Sequence, residues 1–246
     1  MPDDIAIGPA AIKRMATMLY ADVGSVKTRL MQQYRSYICP LHEVIHDIPP
    51  QSSVLDVGCG HGLLLNLLVH LGRIRRGYGF DMARPAIEIA SRVASNHSFS
   101  STVAFEARSV EKGIPHLGYE VVTVIDVLHH IPDSHKQSFV EALCSALPEG
   151  GRLIIKDMVV KPRWRATANL LHDLVMARQW VEQMGPEKVE AWATERGLSV
   201  ARRATFNTLW YGHWLLVLEK QSAHLSPLRS SEKTGESSHS TATEKE

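Results

Sequence analysis

The chain has 246 residues, of which 44% are hydrophobic and 22% charged, proportions typical of a folded globular protein. Its formal net charge of +1 provides no general attraction for nucleic acid. The sequence contains no run of about eighteen apolar residues, which is the length that a membrane-spanning helix needs. The three cysteines are widely spaced and indicate reduced thiols, not a disulfide framework or a metal site. The acidic N-terminus lacks a secretory pattern, so we expect a cytoplasmic protein.

Along the chain, short apolar runs alternate with segments whose apolar residues have helical spacing. The N-terminal segment, residues 1–50, is predicted to be helical, with a helix over 27–46 that is broken at Cys39-Pro40. Strands are predicted at 53–57, 76–80, 103–107, 121–125, 152–155, 198–204 and 213–219, with Tyr211-Gly212 in the last turn. Helices are predicted at 63–71, at 86–95, after a cap at Asp133 or Ser134, at 166–184 and at 187–196. This alternation predicts a parallel sheet with helices on both sides.

The most informative segment joins the first strand to its helix and reads Val54-Leu55-Asp56-Val57-Gly58-Cys59-Gly60-His61-Gly62. Glycines allow a ligand to approach the backbone, and the following helix directs free N–H groups towards it. The spacing is Gly-x-Gly-x-Gly, whereas a dinucleotide site uses Gly-x-Gly-x-x-Gly. Asp56 would repel a pyrophosphate and attract the ammonium group of an amino acid moiety. The segment therefore favours a cationic nucleoside without phosphate.

This segment resembles the first motif of class I S-adenosylmethionine-dependent methyltransferases, and the resemblance covers roughly residues 30–220. It implies an α/β fold with a Rossmann-like, doubly wound, seven-stranded sheet that is mostly parallel and has an antiparallel last strand. It also implies a methyltransferase domain at 51–220, a helical cap at about 161–197 and S-adenosyl-L-methionine as cofactor. Residues 221–246 are rich in serine and threonine and are expected to be disordered.

In a doubly wound sheet the ligand lies at the carboxyl ends of the strands. Asp81 ends the second strand and can accept hydrogen bonds from both ribose hydroxyls, while Met82 could pack against adenine. Methyltransferases of this class often carry an acidic residue after the third strand, but Ser109 occupies the matching position here. The predicted cofactor-binding residues are Asp56, Gly58, Cys59, Gly60, Asp81, Met82, Ser109, Val110, Asp126 and Val127.

The fourth strand runs into Asp126-Val127-Leu128-His129-His130. Adjacent side chains of an extended segment point in opposite directions, so one histidine would face the cofactor and the other the acceptor. The segment resembles the Leu-His-His of small-molecule O-methyltransferases, in which such a histidine is the general base. The resemblance implies catalytic roles for His130, His129 and Asp157, which ends the fifth strand and could orient a histidine or bind the acceptor. Alternatively, the histidines only shape the cofactor pocket. No metal site is expected.

The sequence therefore predicts a methyltransferase that acts on a hydroxyl or phenol of a small molecule, a product of secondary metabolism. Residues 161–197 are expected to cover the acceptor, with Tyr34 and Tyr37 on the other side. The basic entry at 161–165 could instead touch a membrane surface or an acidic carrier domain. We expect no nucleic-acid partner and no stable membrane insertion, and the oligomeric state is left open.

Three alternative functions are retained. The first is a methyltransferase that acts on a macromolecule, although the fourth strand is not followed by an Asn-Pro-Pro-Tyr type motif of base methylation. The second is an NAD-dependent oxidoreductase, and the third is a cofactor-binding protein without catalysis.

Overall fold

The structure, a computed structural model, describes residues 7–158, 184–208 and 211–221. Its strands are β1 (Ser52–Val57), β2 (Ile74–Asp81), β3 (Val103–Ala107), β4 (Val121–Ile125), β5 (Arg152–Met158), β6 (Leu198–Thr208) and β7 (Tyr211–Lys220). Its α-helices are α1 (Pro9–Leu19), α2 (Val26–Ile38), α3 (Leu41–Asp47), α4 (Leu63–His70), α5 (Arg84–Asn96), α6 (Asp133–Ala146) and α7 (Pro186–Glu195). Two short 3-10 helices span Val110–Lys112 and Leu128–His130.

The strands form a single sheet in the order β3-β2-β1-β4-β5-β7-β6. The pairs from β3 through to β5 are parallel, and β7 runs antiparallel to both β5 and β6. The strand order reverses between β1 and β4, and a crevice forms at such a point beyond the carboxyl ends of the strands. The predicted seven-stranded Rossmann-like sheet with its antiparallel last strand is confirmed.

Each face of the sheet has its own apolar core. On the side that carries Ile154, helices α1, α3, α4 and α5 pack against the sheet. On the side that carries Ile155, helices α6 and α7 pack against it. Because consecutive strand residues face opposite sides, Lys156 belongs to the first side and Asp157 to the second. Both of these charged residues are buried.

The N-terminal helices are joined to the sheet by polar contacts. The break predicted at Cys39-Pro40 separates α2 from α3, and α1 is an addition to the predicted helix at 27–46. Arg202 of β6 donates to the carboxylates of Glu43 and Asp47 in α3, at 2.6 Å in each case. The hydroxyl of Tyr20, just after α1, donates to the carbonyl of His61 at 2.7 Å. The N-terminal segment is thus part of the same folded unit as the sheet.

Several predicted element ends differ from the structure, most of them by one to three residues. Neither Asp133 nor Ser134 caps α6, because the helix begins at Asp133 itself, whose carboxylate accepts from Lys136 at 2.6 Å. β6 and β7 extend towards each other, with Asn207 opposite Gly212, so Tyr211-Gly212 belongs to β7 and not to a turn. β2 begins at Ile74, which pairs with β1, and not at 76.

Two further expectations fall largely outside the described residues. These are the helix predicted at 166–184 with its basic entry at 161–165, and the tail at 221–246. The second helix of the predicted cap, expected at 187–196, is α7. None of the helices in the described ranges is both long and apolar enough to cross a bilayer.

Candidate active site

The glycine turn, residues 58–62, joins β1 to α4, and its three glycines have positive φ angles of 73°, 51° and 74°. A Cβ on Gly58 would lie 2.4 Å from the side chain of Val127, and one on Gly62 would lie 2.7 Å from Ala90. A Cβ on Gly60 would meet nothing within 4 Å. Gly58 and Gly62 are therefore required by packing, whereas Gly60 borders open space where a ligand can approach the backbone.

Asp81 lies at the end of β2, next to the glycine turn. Its Oδ2 accepts the backbone N–H of Gly60 at 3.0 Å, and its Oδ1 accepts the backbone N–H of Ala83 at 2.8 Å. Each carboxylate oxygen has a second lone pair, so both oxygens can accept a further hydrogen bond. The structure thus places the predicted ribose-binding carboxylate beside Gly60.

Asp56 is buried beneath the turn, where the hydroxyl of Thr123 donates to its Oδ1 at 2.7 Å. Burial raises the pKa of Asp56 to about 7, with a smaller effect from the negative charge of Asp81 and an opposing one from the Thr123 hydrogen bond. A cation bound nearby would favour the ionised form. The carboxylate therefore suits a positively charged ligand group.

Cys59 contributes its backbone to the turn, while its buried side chain lies against β2. Its N–H donates to the carbonyl of Phe80 at 3.1 Å, and a Cβ on Gly79 would touch its sulfur at 2.9 Å. Burial raises the pKa of the thiol, so the side chain is a neutral packing group. Its predicted contact with a cofactor remains a prediction.

The residues predicted to bind adenine lie at the ends of β2 and β3. Met82 follows β2 and exposes 79% of its surface. Ser109 is half-buried at the start of the 3-10 helix that includes Val110, and its Oγ accepts the N–H of Glu111 at 3.2 Å. The hydroxyl still has a proton to donate. Contacts of these residues with adenine remain predictions.

The histidine turn, residues 126–130, follows β4 and is compact. Leu128–His130 form a 3-10 helix, so the expectation of an extended segment with diverging side chains is wrong. The rings of His129 and His130 instead touch, with centroids 4.1 Å apart. His129 is buried, whereas His130 is exposed to solvent.

Asp157 holds the histidine turn from β5. The Nδ1–H of His129 donates to Asp157 Oδ1 at 2.5 Å, and the His129 backbone N–H donates to Oδ2 at 3.1 Å. Because a carboxylate only accepts, this pairing assigns the proton of His129 to Nδ1. The predicted proximity of Asp157 to the histidines is therefore found, and its partner is His129.

The carboxylate of Asp126 binds two cations. Lys156 of β5, fully buried, donates to Oδ1 at 2.5 Å, and Arg35 of α2 donates to Oδ2 at 2.9 Å. Burial alone would raise the pKa of Asp126, but these two cations hold it well below its usual range. The side chain of Asp126 is thus engaged within the protein, and a cofactor contact of Asp126 or Val127 remains a prediction.

Two residues of this region were not anticipated from the sequence. Arg35 lies between Tyr34 and Tyr37 on α2, and nothing in its spacing indicates a partner 91 residues away. His213 lies at the start of β7, opposite Met158 of β5, and burial lowers its pKa to about 3. The position of His213 could have been predicted from the expected antiparallel direction of β7, because that direction brings the start of β7 to the carboxyl end of β5.

The arrangement therefore combines an open glycine backbone, two carboxylates at the ends of β1 and β2, and an exposed imidazole after β4. The glycine turn and the carboxylates suit a cationic nucleoside with vicinal hydroxyls. Partial burial and His129 lower the pKa of His130, which is then neutral near pH 7 and able to accept a proton.

Comparison with known proteins identifies the family of the chain. A family model described as a methyltransferase domain matches residues 30–202. The chain is 33% identical over 98 residues to a ubiquinone biosynthesis O-methyltransferase of Shewanella sp. (strain ANA-3), covering 40% of each chain. It is 28% identical over 169 residues to the protein of the same name from Alkalilimnicola ehrlichii, covering 63% of this chain and 65% of the relative. Less than two thirds of either relative is thus matched.

The fold is also similar to that of magnesium protoporphyrin IX methyltransferase from Synechocystis PCC 6803, solved with bound S-adenosylhomocysteine. The TM-score is 0.61 at 19% identity, covering 83% of this chain and 92% of the other. The family match covers more than half of the chain, which sets aside an NAD-dependent oxidoreductase and a binding protein without catalysis. The chain belongs to the methyltransferase-domain family and is a class I S-adenosylmethionine-dependent methyltransferase.

Proposed function

We propose that the chain methylates a hydroxyl or phenol oxygen of a small-molecule acceptor, with His130 as the general base. The observation that carries this proposal is the exposed His130, whose ring contacts at a tilt of 51° the ring of a buried His129 whose Nδ1–H donates to Asp157. An exposed, neutral imidazole at the carboxyl ends of the strands can reach an acceptor proton. A buried imidazole cannot do so without rearrangement, so we assign His129 a supporting role.

The residues around the glycine turn fit S-adenosylmethionine. Gly60 leaves space for close approach of a ligand, Asp81 has free lone pairs for ribose hydroxyls, and Asp56 offers a carboxylate to a cationic amino acid group. When bound, the cofactor supplies a methyl group that is already activated by the positive charge of its sulfonium. The protein then contributes mainly alignment and proton removal.

In the proposed reaction the protein removes one proton, that of the acceptor hydroxyl. A nitrogen of His130 would accept the proton of the acceptor hydroxyl as that oxygen takes the methyl group that S-adenosylmethionine would supply, leaving S-adenosylhomocysteine, and the imidazolium would then lose the proton to solvent. Asp157 keeps His129 in one tautomer and one orientation, so the ring beneath His130 stays fixed. General base catalysis of this type is worth roughly 10²–10⁴-fold in rate.

The choice of oxygen as the methylated atom is supported by the relatives, which are named O-methyltransferases. Because they are matched over only 40% and 65% of their length, their acceptor is not carried over to this chain. A secondary metabolite as acceptor, a cytoplasmic location and the absence of a nucleic-acid partner remain predictions. A macromolecular acceptor is the alternative.

The proposal is tested by replacing His130 with alanine and measuring S-adenosylhomocysteine release with a panel of catechols, phenols, alcohols and amines. We expect turnover of a phenol or alcohol in the wild type and a fall of about 10²-fold in kcat for His130→Ala. The calorimetric Kd of S-adenosylhomocysteine should stay within about twofold. His135→Ala, an exposed histidine of α6, is the control. Turnover of amines alone, or an unchanged kcat in His130→Ala, would contradict the proposal.

A further inference from the structure

Asp126 lies at a strained point of the backbone, between β4 and the two histidines. Its φ of +56° falls in the left-handed region, which among the described non-glycine residues is shared only by Gln51 and Ser98. Aspartate tolerates this region better than most residues, but the conformation is still unfavourable. A residue in such a conformation persists only where its surroundings impose it. The contacts of Asp126 therefore determine how the histidine turn leaves β4.

Two residues of β5 hold the turn, and their side chains lie on opposite faces of the sheet. Lys156 binds the carboxylate of Asp126 and accepts its backbone N–H at 2.9 Å through the Lys156 carbonyl. On the other face, Asp157 binds the ring and the backbone of His129. The two neighbouring residues of β5 thus fix the beginning and the middle of the turn.

Arg35 adds a second cation to Asp126 although the buried Lys156 already balances its charge. The Arg35 side chain exposes 37% of its surface, and a pair that is partly open to solvent adds little to global stability. Its effect is therefore local. Arg35 binds Oδ2 while Lys156 binds Oδ1, so together they fix the plane of the carboxylate and hence the side-chain rotation of Asp126.

We propose that Arg35 is a positioning residue for methyl transfer, reaching from α2 to hold Asp126, with Lys156, in the geometry that presents His130 to the acceptor. The inference rests on the proposed role of His130. Arg35 binds Asp126 directly, and the inferred positioning acts through that contact.

The charged groups that face His130 come from three elements and make this role measurable. They are His129 in the same turn, Asp157 of β5, Asp126 after β4, and Arg35 of α2. Partial burial and His129 lower the pKa of His130, the two carboxylates raise it, and Arg35 lowers it. Removing the charge of Arg35 should therefore raise the pKa of His130. An arginine remote from the histidine turn would leave that pKa unchanged, and the response of His129 and the kinetics separate a positioning role from a direct effect of the charge on His130.

The direct test is NMR titration of the imidazole signals in the full chain, compared between wild type and Arg35→Gln. His130→Ala identifies the signals of His130 among the 13 histidines. We expect the midpoint of His130 to rise by about half a pH unit in Arg35→Gln, and the signals of His129 to broaden as the turn loosens. Arg35→Lys should restore the midpoint in part. Lys27→Gln removes an exposed charge from the same helix and should change neither signal.

Steady-state kinetics provide the second measurement. The substrate is the phenol or alcohol of the panel above that the wild type methylates fastest. We expect Arg35→Gln to lower kcat about fivefold to tenfold at pH 7, with the Kd of S-adenosylhomocysteine within about twofold. In an Asp126→Asn background, Arg35→Gln should have little further effect, because both changes act on one contact.

Titration curves of His130 that superimpose for wild type and Arg35→Gln would overturn the inference. The inference would also be overturned if Arg35→Gln lowered turnover, S-adenosylhomocysteine affinity and melting temperature together, since that would indicate a general structural role. If no acceptor in the panel is methylated, the proposed function fails, and the NMR titration still decides whether Arg35 controls the histidine turn.

Discussion

Asp81 joins the ends of two strands, because its Oδ2 accepts the backbone N–H of Gly60 at 3.0 Å. Gly60 belongs to the turn after β1, and Asp81 is the last residue of β2. The second oxygen accepts the N–H of Ala83, so the carboxylate has its orientation before any ligand binds. Preorganisation of this kind reduces the ordering cost of binding.

Asp81→Ala should weaken S-adenosylhomocysteine binding by about 30-fold, since hydrogen bonds to a charged group are worth about 1.5–3 kcal/mol. Asp81→Asn keeps one acceptor oxygen and should lose less. Titration calorimetry measures both effects, and Glu88→Ala on the exposed side of α5 is the control. An unchanged Kd in Asp81→Ala would exclude Asp81 from the cofactor site.

Substitutions of two glycines in the turn should affect ligand binding and protein stability differently. Gly60→Ala places a methyl group in open space at φ +51°, so the free energy of unfolding should fall by only about 1 kcal/mol. Binding of S-adenosylhomocysteine should nevertheless fall at least tenfold, because the methyl group points into the space for the ligand. Gly62→Ala collides with Ala90 and Phe105 and should lower the free energy of unfolding by about 2–3 kcal/mol.

Urea unfolding and calorimetry on the two variants measure these effects. Wild-type affinity in Gly60→Ala would contradict the prediction.

The raised pKa of Asp56 predicts a pH-dependent stability of the ligand-free protein. The pKa rises from 3.8 to about 7 on folding, so the folded state binds the proton more tightly than the unfolded state. This contribution to stability is complete below pH 4 and is lost as the pH rises through about 7. Asp56→Asn should therefore be more stable than wild type at pH 8, by a few kcal/mol at most.

Urea unfolding of wild type and Asp56→Asn between pH 5 and 8 measures this difference. Asp56→Asn should also bind S-adenosylhomocysteine more weakly, because the amide carries no charge for the ammonium group. Parallel stability curves for the two proteins would show that Asp56 does not titrate in this range.

Asp157→Asn should change the hydrogen bond that holds the ring of His129 against β5. The asparagine has nearly the same shape, but its amide group can donate to Nδ1 and so favour the other tautomer of His129. We expect kcat to fall about 10²-fold while the Kd of S-adenosylhomocysteine changes little, because Asp157 lies on β5, which β4 separates from the strand that leads into the glycine turn. Steady-state kinetics with the methylated phenol or alcohol, beside calorimetry, would reveal the reverse pattern if Asp157 served cofactor binding.

The candidate site residues whose positions could be predicted from the sequence share one property, which is that they lie at or next to the ends of parallel strands. Asp56, Asp81 and Asp157 could be placed because a repeating strand–helix pattern fixes which ends of the strands meet. The shape of the histidine turn could not be predicted in this way. It depends on the left-handed backbone of Asp126, whose carboxylate is held by Lys156 and Arg35, two residues distant in sequence.

Arg35 and His213 illustrate two different limits. The position of Arg35 depends on where α2 packs against the sheet. The sequence of a helix does not by itself indicate which distant residues it will contact. His213 lies in a strand whose antiparallel direction was expected, but its burial beside Lys156 follows from side-chain packing. Strand ends are thus predictable from pattern, whereas the charges that surround them require coordinates.

The contacts of the N-terminal helices have a consequence for the order in which the chain folds. Arg35 and Asp126 are 91 residues apart, and Arg202 and Glu43 are 159 residues apart. During synthesis on the ribosome, α2 and α3 therefore emerge long before their partners and remain without them until β4 and β6 have been made. Contacts of such large sequence separation form slowly because of the entropy of closing long loops. The contacts of α2 and α3 with Asp126 and Arg202 are thus completed only after β4 and β6 have been made.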